Sequence, residues 1–165
     1  AIAASIQNAL RKQGLPIKEC FIPLESAVPW FVVTIDRSKH KGDNDRLAHE
    51  IGQTVFATKA GSYVPKVLVM DDDIDPSDIN QVVWALATRH HPGKRIAVAG
   101  QTVLPLVAYL DAREKSEAVT TKVVYNCLMP FDNWPEDKQP IEASFRGYSE
   151  ELRNHVIKNW EKYGF

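Results

Sequence analysis

The run at residues 64–70, VPKVLVM, is apolar at nearly every position, and this continuity constrains the chain more than any other feature. A strand with one wet face alternates apolar and polar side chains. A strand without alternation is buried on both faces, as in a parallel sheet covered by helices. Its neighbours agree with that reading. Before it, DNDRLAHEIGQTVFAT places Leu47, Ile51, Val55 and Phe56 on one helical face, with Asp43 or Asn44 available as N-cap. After it, DINQVVWALATRHHPG places Ile79, Val82, Val83 and Leu86 on one stripe and stops at Pro92 and Gly93. A doubly buried strand between two amphipathic helices predicts an α/β fold, with a mostly parallel buried sheet flanked by helices.

The rest of the chain extends this pattern. Ile2, Ile6, Ala9 and Leu10 recur at helical spacing, and Gly14 and Pro16 end that helix. KECFIPLE and PWFVVTID are β-rich runs separated by Ser26, Ala27, Val28 and Pro29. RIAVAG and TTKVVYNCLM are further strands, divided by a loop containing VLPLVAYL and by the charged DAREKSE. An aromatic, Pro-rich segment, PFDNWPEDKQP, precedes a long C-terminal helix in which Leu152, Val156, Ile157 and Trp160 share a face and Ser149 is the cap. No internal repeat breaks the pattern, and 165 residues suit one domain spanning residues 1–165.

A net charge of −1 supplies no long-range field, so neither nucleic acid nor an anionic membrane is an expected partner, and anion recognition has to be local. The two cysteines, Cys20 and Cys127, lie in the apolar contexts ECFIP and YNCLMP and are expected to be buried free thiols. With no signal-peptide pattern and no 18-residue apolar run, the expected location is cytoplasmic. The opening AIAASIQNALRKQG has no initiator Met and reads as a helix already under way, which suggests a piece of something longer.

Between strand and helix, VMDDDIDPSD carries five aspartates. Clustered carboxylates suit Mg²⁺ or Ca²⁺, but the spacing is not that of an EF-hand loop. A local account competes: Asp75 as N-cap, Pro76 at N1 and Asp78 at N3 form a strong helix start. Asp71, Asp72 and Asp73 remain, at the C-terminal end of a strand, where α/β folds tend to place ligand sites. Lys59 and Lys66 flank AGSYVP, and a Gly-containing loop with a lysine can hold a phosphate, although the pattern matches neither the Walker loop nor GxGxxG. The alternative is a pair of solvated surface lysines. His40, His49, His90, His91 and His155 show no metal-binding spacing, and His90 and His91 close a helix, where a cation suits the dipole. The aromatics of FDNWPED and NWEKYGF can stack on a ligand, pack on helices or line a subunit interface. No self-sufficient catalytic set emerges.

Taken together, KAGSYVPKVLVMDDDIDPSDINQVVWALATRHHPG resembles the signature of UbiD-type decarboxylases. FIPLESAVPWFVVTID resembles the opening strands of that family's C-terminal domain, and ASFRGYSEELRNHVIKNWEKYGF resembles the terminal helix of its fungal and phenolic-acid members. The resemblance implies a domain that closes over prenylated FMN in an enzyme that reversibly decarboxylates aromatic or α,β-unsaturated acids. It implies that the Glu-Arg-Glu catalytic residues and the Mn²⁺ and K⁺ ligands belong to preceding domains of the same enzyme, that the domain alone is inactive, and that it takes part in a homodimer or higher homo-oligomer. By the same resemblance, Lys59 matches the lysine that reaches the cofactor phosphate. Tyr63 falls where a substrate-lining residue sits, and Leu104 and Leu106 match positions that wall the substrate ring. In the cinnamic-type enzymes the first of these walls is aromatic. Here it is Leu104, with Pro105 beside it, which favours a phenolic acid such as a dihydroxybenzoate as substrate. The rival expectation is a stand-alone oligomerisation or interaction domain of the same fold without flavin chemistry.

Overall fold

The computed structural model describes residues 1–129, 134–135, 138–141 and 148–164. It contains five strands, β1 (Ile17–Phe21), β2 (Trp30–Ile35), β3 (Lys66–Met70), β4 (Ile96–Thr102) and β5 (Val119–Cys127), in one sheet of order β1-β2-β3-β5-β4. The centre is parallel: β2 pairs with β3 from Trp30↔Lys66 to Thr34↔Met70, and β3 with β5 from Lys66↔Val123 to Met70↔Cys127. Both edges are antiparallel, β1 on β2 and β4 on β5, each with a register irregularity. The expected mostly parallel, buried sheet is thus a parallel core with antiparallel rims, and Val67 to Met70 of β3 are fully buried.

Helices α1 (Ile2–Lys12) and α2 (Asn44–Ala57) cover one face, and α3 (Ile79–Arg89) covers the other. Alternation across the pleat divides the core between them. Val33, Val67, Val69 and Val124 point toward Ile6, Leu10, Ile51 and Val55, while Val32, Leu68 and Met70 point toward Val82 and Ala85. The stripe expected on α2 is buried at all four positions, with Asp43 as N-cap accepting from the N–H groups of Asp45 and Arg46. On α3 the stripe is rotated: Val82 and Ala85 are buried, whereas Val83 is exposed. Gly52 of α2 lies so close to the sheet that a Cβ there would come within 2.3 Å of Val124 Cγ2.

The loop after β4 forms a small cluster of its own from Val103, Val107 and Leu110, and α4 (Ala112–Glu117) follows with a capping box between Asp111 and Glu114. Ser149 caps α5 (Glu150–Lys158) as expected, and a 3₁₀ turn over Trp160–Tyr163 prolongs it. None of the residues of α5 is buried; Leu152, Ile157 and Trp160 are all exposed. Most of the reading made for PFDNWPEDKQP, and the start of ASFRGYSEEL, lie outside the described residues.

Candidate functional site

The parallel strands give the sheet two chemically different edges. At their amino ends, a 3₁₀ turn, Ala60–Tyr63, leads into β3, with Lys59 as its N-cap residue. The turn is pinned from several directions. Thr58 Oγ1 accepts from the Gly61 N–H at 2.9 Å and donates to the Val55 carbonyl at 2.7 Å. The Leu104 N–H donates to the Ser62 carbonyl at 3.1 Å, tying on the loop after β4. Gly61 is packed so tightly on the end of α2 that a Cβ would lie 2.0 Å from the Val55 carbonyl oxygen, so only glycine fits. Beneath the turn, Lys122 of β5 donates from Nζ to the Gly61 carbonyl at 2.6 Å.

This arrangement brings the four residues singled out in the sequence to one edge. Lys59 and Tyr63 share the turn and Leu104 is bonded to it, with Leu106 two residues further on. Lys59 is exposed, Tyr63 is 41 % and Leu106 89 % exposed, and Leu104 is half-buried. No described carboxylate pairs with Lys59. Lys66, the second lysine of the loop, instead lies 4.9 Å from the centre of the Tyr109 ring, a cation–π contact at the foot of β3.

Lys122 was not visible as a candidate from the sequence. Its only signal is a charge in the middle of the apolar strand VTTKVVYNC, at a position whose alternation points inward. Its side chain is fully buried, 5.2 Å from the centre of the Phe56 ring, and burial pulls its pKa down to about 8.

The carboxyl edge carries the aspartates, and arginines hold two of them. Asp71 is buried; its Oδ1 accepts from Arg37 Nε at 2.8 Å and its Oδ2 from the Met129 N–H at 2.6 Å. Burial outweighs these partners and pushes the Asp71 pKa up to about 6. Asp73 takes a two-pronged contact from Arg89, at 2.9 and 2.6 Å, and Arg89 also faces the Trp84 ring at 5.0 Å. The helix start differs from expectation: Asp78, not Asp75, is the N-cap of α3, accepting from the Asn80 N–H. Asp75 closes a preceding turn through Ser77, and its N–H donates to the Gln81 side chain, so residues 75–78 form one turn before the helix begins. Among the described residues no group of three His, Cys, Asp or Glu side chains is placed to hold a metal ion.

A cleft of about 980 Å³ opens at this same edge, lined among others by Arg37, His40, Arg89, His90 and Asn126. His90 caps the end of α3, makes an edge contact with Tyr125 at 5.1 Å, and has its pKa lowered chiefly by burial. His91 caps the next 3₁₀ turn by accepting from the Gly93 N–H. The His91 side chain thus serves as a local cap, whereas His90 Nδ1 lies 3.3 Å from the Asn126 carbonyl of β5. Cys20 and Cys127 are free thiols, half-buried and buried, and burial pushes both pKa values up to about 12. Neither is a reactive thiolate. Among the described residues no helix is long and apolar enough to cross a membrane.

Comparison with known proteins gives these features a context. Residues 1–127 match the family described as the 3-octaprenyl-4-hydroxybenzoate carboxy-lyase C-terminal domain. The chain is 36 % identical to a pyrrole-2-carboxylic acid decarboxylase of Pseudomonas aeruginosa, covering 99 % of this chain and 34 % of that protein. It is 28 % identical to ferulic acid decarboxylase 1 of Saccharomyces cerevisiae, with the same coverage. Its fold is shared by the closed form of a vanillic acid decarboxylase of Sedimentibacter hydroxybenzoicus, at TM-score 0.71 and 19 % identity over 97 % of this chain and 32 % of that one. A UbiD-class enzyme of Pelotomaculum thermopropionicum solved with FMN superposes at TM-score 0.68 and 22 % identity, over 87 % of this chain and 30 % of that one. The chain thus spans about a third of the length of the curated relatives it matches.

Proposed function

Since this chain belongs to the UbiD family, as a C-terminal domain of its carboxy-lyases, we propose that it closes the active site of a prenylated-FMN-dependent (de)carboxylase over cofactor and substrate. One observation carries this reading. A single pinned turn presents a cation, Lys59, with no carboxylate partner among the described residues, and a phenol, Tyr63, beside the apolar Leu104 and Leu106, all on one edge of the sheet.

The residues present fit the phosphate end of a flavin: Lys59 is exposed, without a described carboxylate partner, and a lysine suits a phosphate dianion as a compact point charge. When bound, the flavin supplies the electron sink that decarboxylation requires. This chain's share is then positioning and exclusion of water. Lys59 holds the phosphate, while Tyr63, Leu104 and Leu106 wall a planar acid and keep water from the charge that develops as CO₂ departs. The Glu-Arg-Glu residues, with Mn²⁺ and K⁺, are assigned to preceding domains, so the domain by itself is inactive. The substrate is assigned as an aromatic acid of phenolic type, and the enzyme as cytoplasmic.

Oligomerisation is the second part of the proposal, and the exposed apolar side chains Leu152, Ile157 and Trp160 on and after α5 favour it. The same observation supports the rival reading of an interaction domain without flavin chemistry. Lys59→Ala in the full-length enzyme separates the two. Retained flavin is expected to fall at least tenfold, the scale of one charge-assisted contact. Unchanged flavin content and turnover would remove Lys59 from the phosphate.

A further inference from the structure

Lys122 is buried where stability does not ask for a lysine. Its side chain is fully buried in the middle of β5, opposite Val98 of β4, with the Phe56 ring 5.2 Å away and no described carboxylate paired with it. A charge in such a place costs free energy that an apolar side chain of equal length would not. What the lysine alone provides is reach: its Nζ extends to the Gly61 carbonyl, 2.6 Å away and 61 residues distant in sequence.

Gly61 lies between Lys59 and Tyr63, and the direction of its carbonyl sets the path of the 3₁₀ turn that carries both. The Val64 N–H shares that carbonyl at 3.0 Å from within the turn, Thr58 holds the Gly61 N–H, and the Leu104 N–H holds the Ser62 carbonyl. Among the described contacts it is thus Lys122 that ties the Gly61 carbonyl to the sheet. We infer that Lys122 is a positioning residue, whose ammonium fixes the Gly61 carbonyl and thereby aims Lys59 at the cofactor phosphate and Tyr63 at the substrate. The inference rests on the proposed roles of Lys59 and Tyr63. It assigns to a residue that never touches the ligand the task of keeping the ligand-facing turn in one geometry.

The test is a double-mutant cycle in the full-length enzyme, with Lys59→Ala, Lys122→Met and the double variant, and with FMN as the probe. The dissociation constant for FMN and the melting temperature of the flavin-free protein are measured for each. Lys122→Met is expected to melt no lower than wild type and to bind FMN about tenfold more weakly, the effect of losing one charge-assisted hydrogen bond. The double variant should bind no more weakly than Lys59→Ala, because both changes remove the same contact. Lys122→Gln, which keeps a neutral donor, should recover part of the affinity. If Lys59→Ala leaves FMN affinity unchanged, the site reading fails first. If Lys59→Ala weakens FMN while Lys122→Met does not, or the two effects add, Lys122 has no positioning role. Should Lys122→Met fail to fold, Lys122→Gln carries the comparison, and a lower melting temperature with unaltered FMN affinity marks Lys122 as structural only.

Discussion

At the scale of single residues, the two edges of the sheet are held by buried charges of opposite sign under different terms. Lys122 meets a carbonyl and the Phe56 ring but no described carboxylate, whereas Asp71 meets Arg37 and a backbone N–H yet still has its pKa raised to about 6 by burial. The sign of the resulting pH dependence follows. A folded-state pKa above the unfolded value of 3.8 means that the contribution of Asp71 is fully present below about pH 3.8 and is lost as pH rises through about 6. Urea unfolding of the wild type and of Asp71→Asn across pH 3.5 to 7 should therefore diverge. The wild type should lose on the order of 2–3 kcal/mol relative to the variant over that window, two pKa units at about 1.4 kcal/mol each. Parallel pH profiles would show that Arg37 cancels the burial cost. The acidic turn was conspicuous in the sequence because carboxylates draw attention, but its partners Arg37 and Arg89 lie 34 and 16 residues away from the aspartates they hold. Lys122 was inconspicuous for the same reason: the Gly61 carbonyl it meets belongs to another element.

Among the elements, α2 and α5 both have apolar stripes at helical spacing, yet only α2 buries its stripe. Periodicity identifies a face that prefers to leave water and does not say what will cover it. The consequence is measurable. Ile51→Ala, at a fully buried position, should lower the unfolding free energy by about 2–4 kcal/mol. Ile157→Ala, at a position 60 % exposed, should change it by less than about 0.5 kcal/mol. A large cost for Ile157→Ala, growing with protein concentration, would mean that a second copy covers α5. The helix bounds were legible where a cap and a stripe coincide, as at Asp43. They were misread at Asp75, because an Asp-Pro start and a preceding Asx-type turn look alike until backbone geometry separates them.

For the molecule as a whole, the continuous apolar run of β3 was enough to predict a covered parallel sheet, because only that environment removes both faces of a strand from water. The antiparallel rims were not legible, since pairing partners depend on tertiary order, not on the local pattern. The assembly of the site edge also depends on that order. It is the pairing of β5 between β3 and β4 that brings the loop carrying Leu104 onto the turn carrying Lys59. Leu104→Phe tests the wall at this scale. In the full-length enzyme it should shift relative rates from dihydroxybenzoic toward cinnamic acids by about three- to tenfold, the range expected when one apolar wall of a pocket changes size. Identical relative rates across the panel of acids would take Leu104 out of the wall.

The strand order also governs how the molecule can come into being. During synthesis β3 and β4 emerge first, and neither can complete its pairing until β5, the last strand of the sheet, is inserted between them. Until then β3, fully buried from Val67 to Met70 in the finished sheet, presents an open edge. Folding of this domain is thus expected to be gated by a late, long-range event and exposed to aggregation before it, which makes a version cut short of β5 a substrate for chaperones and proteases.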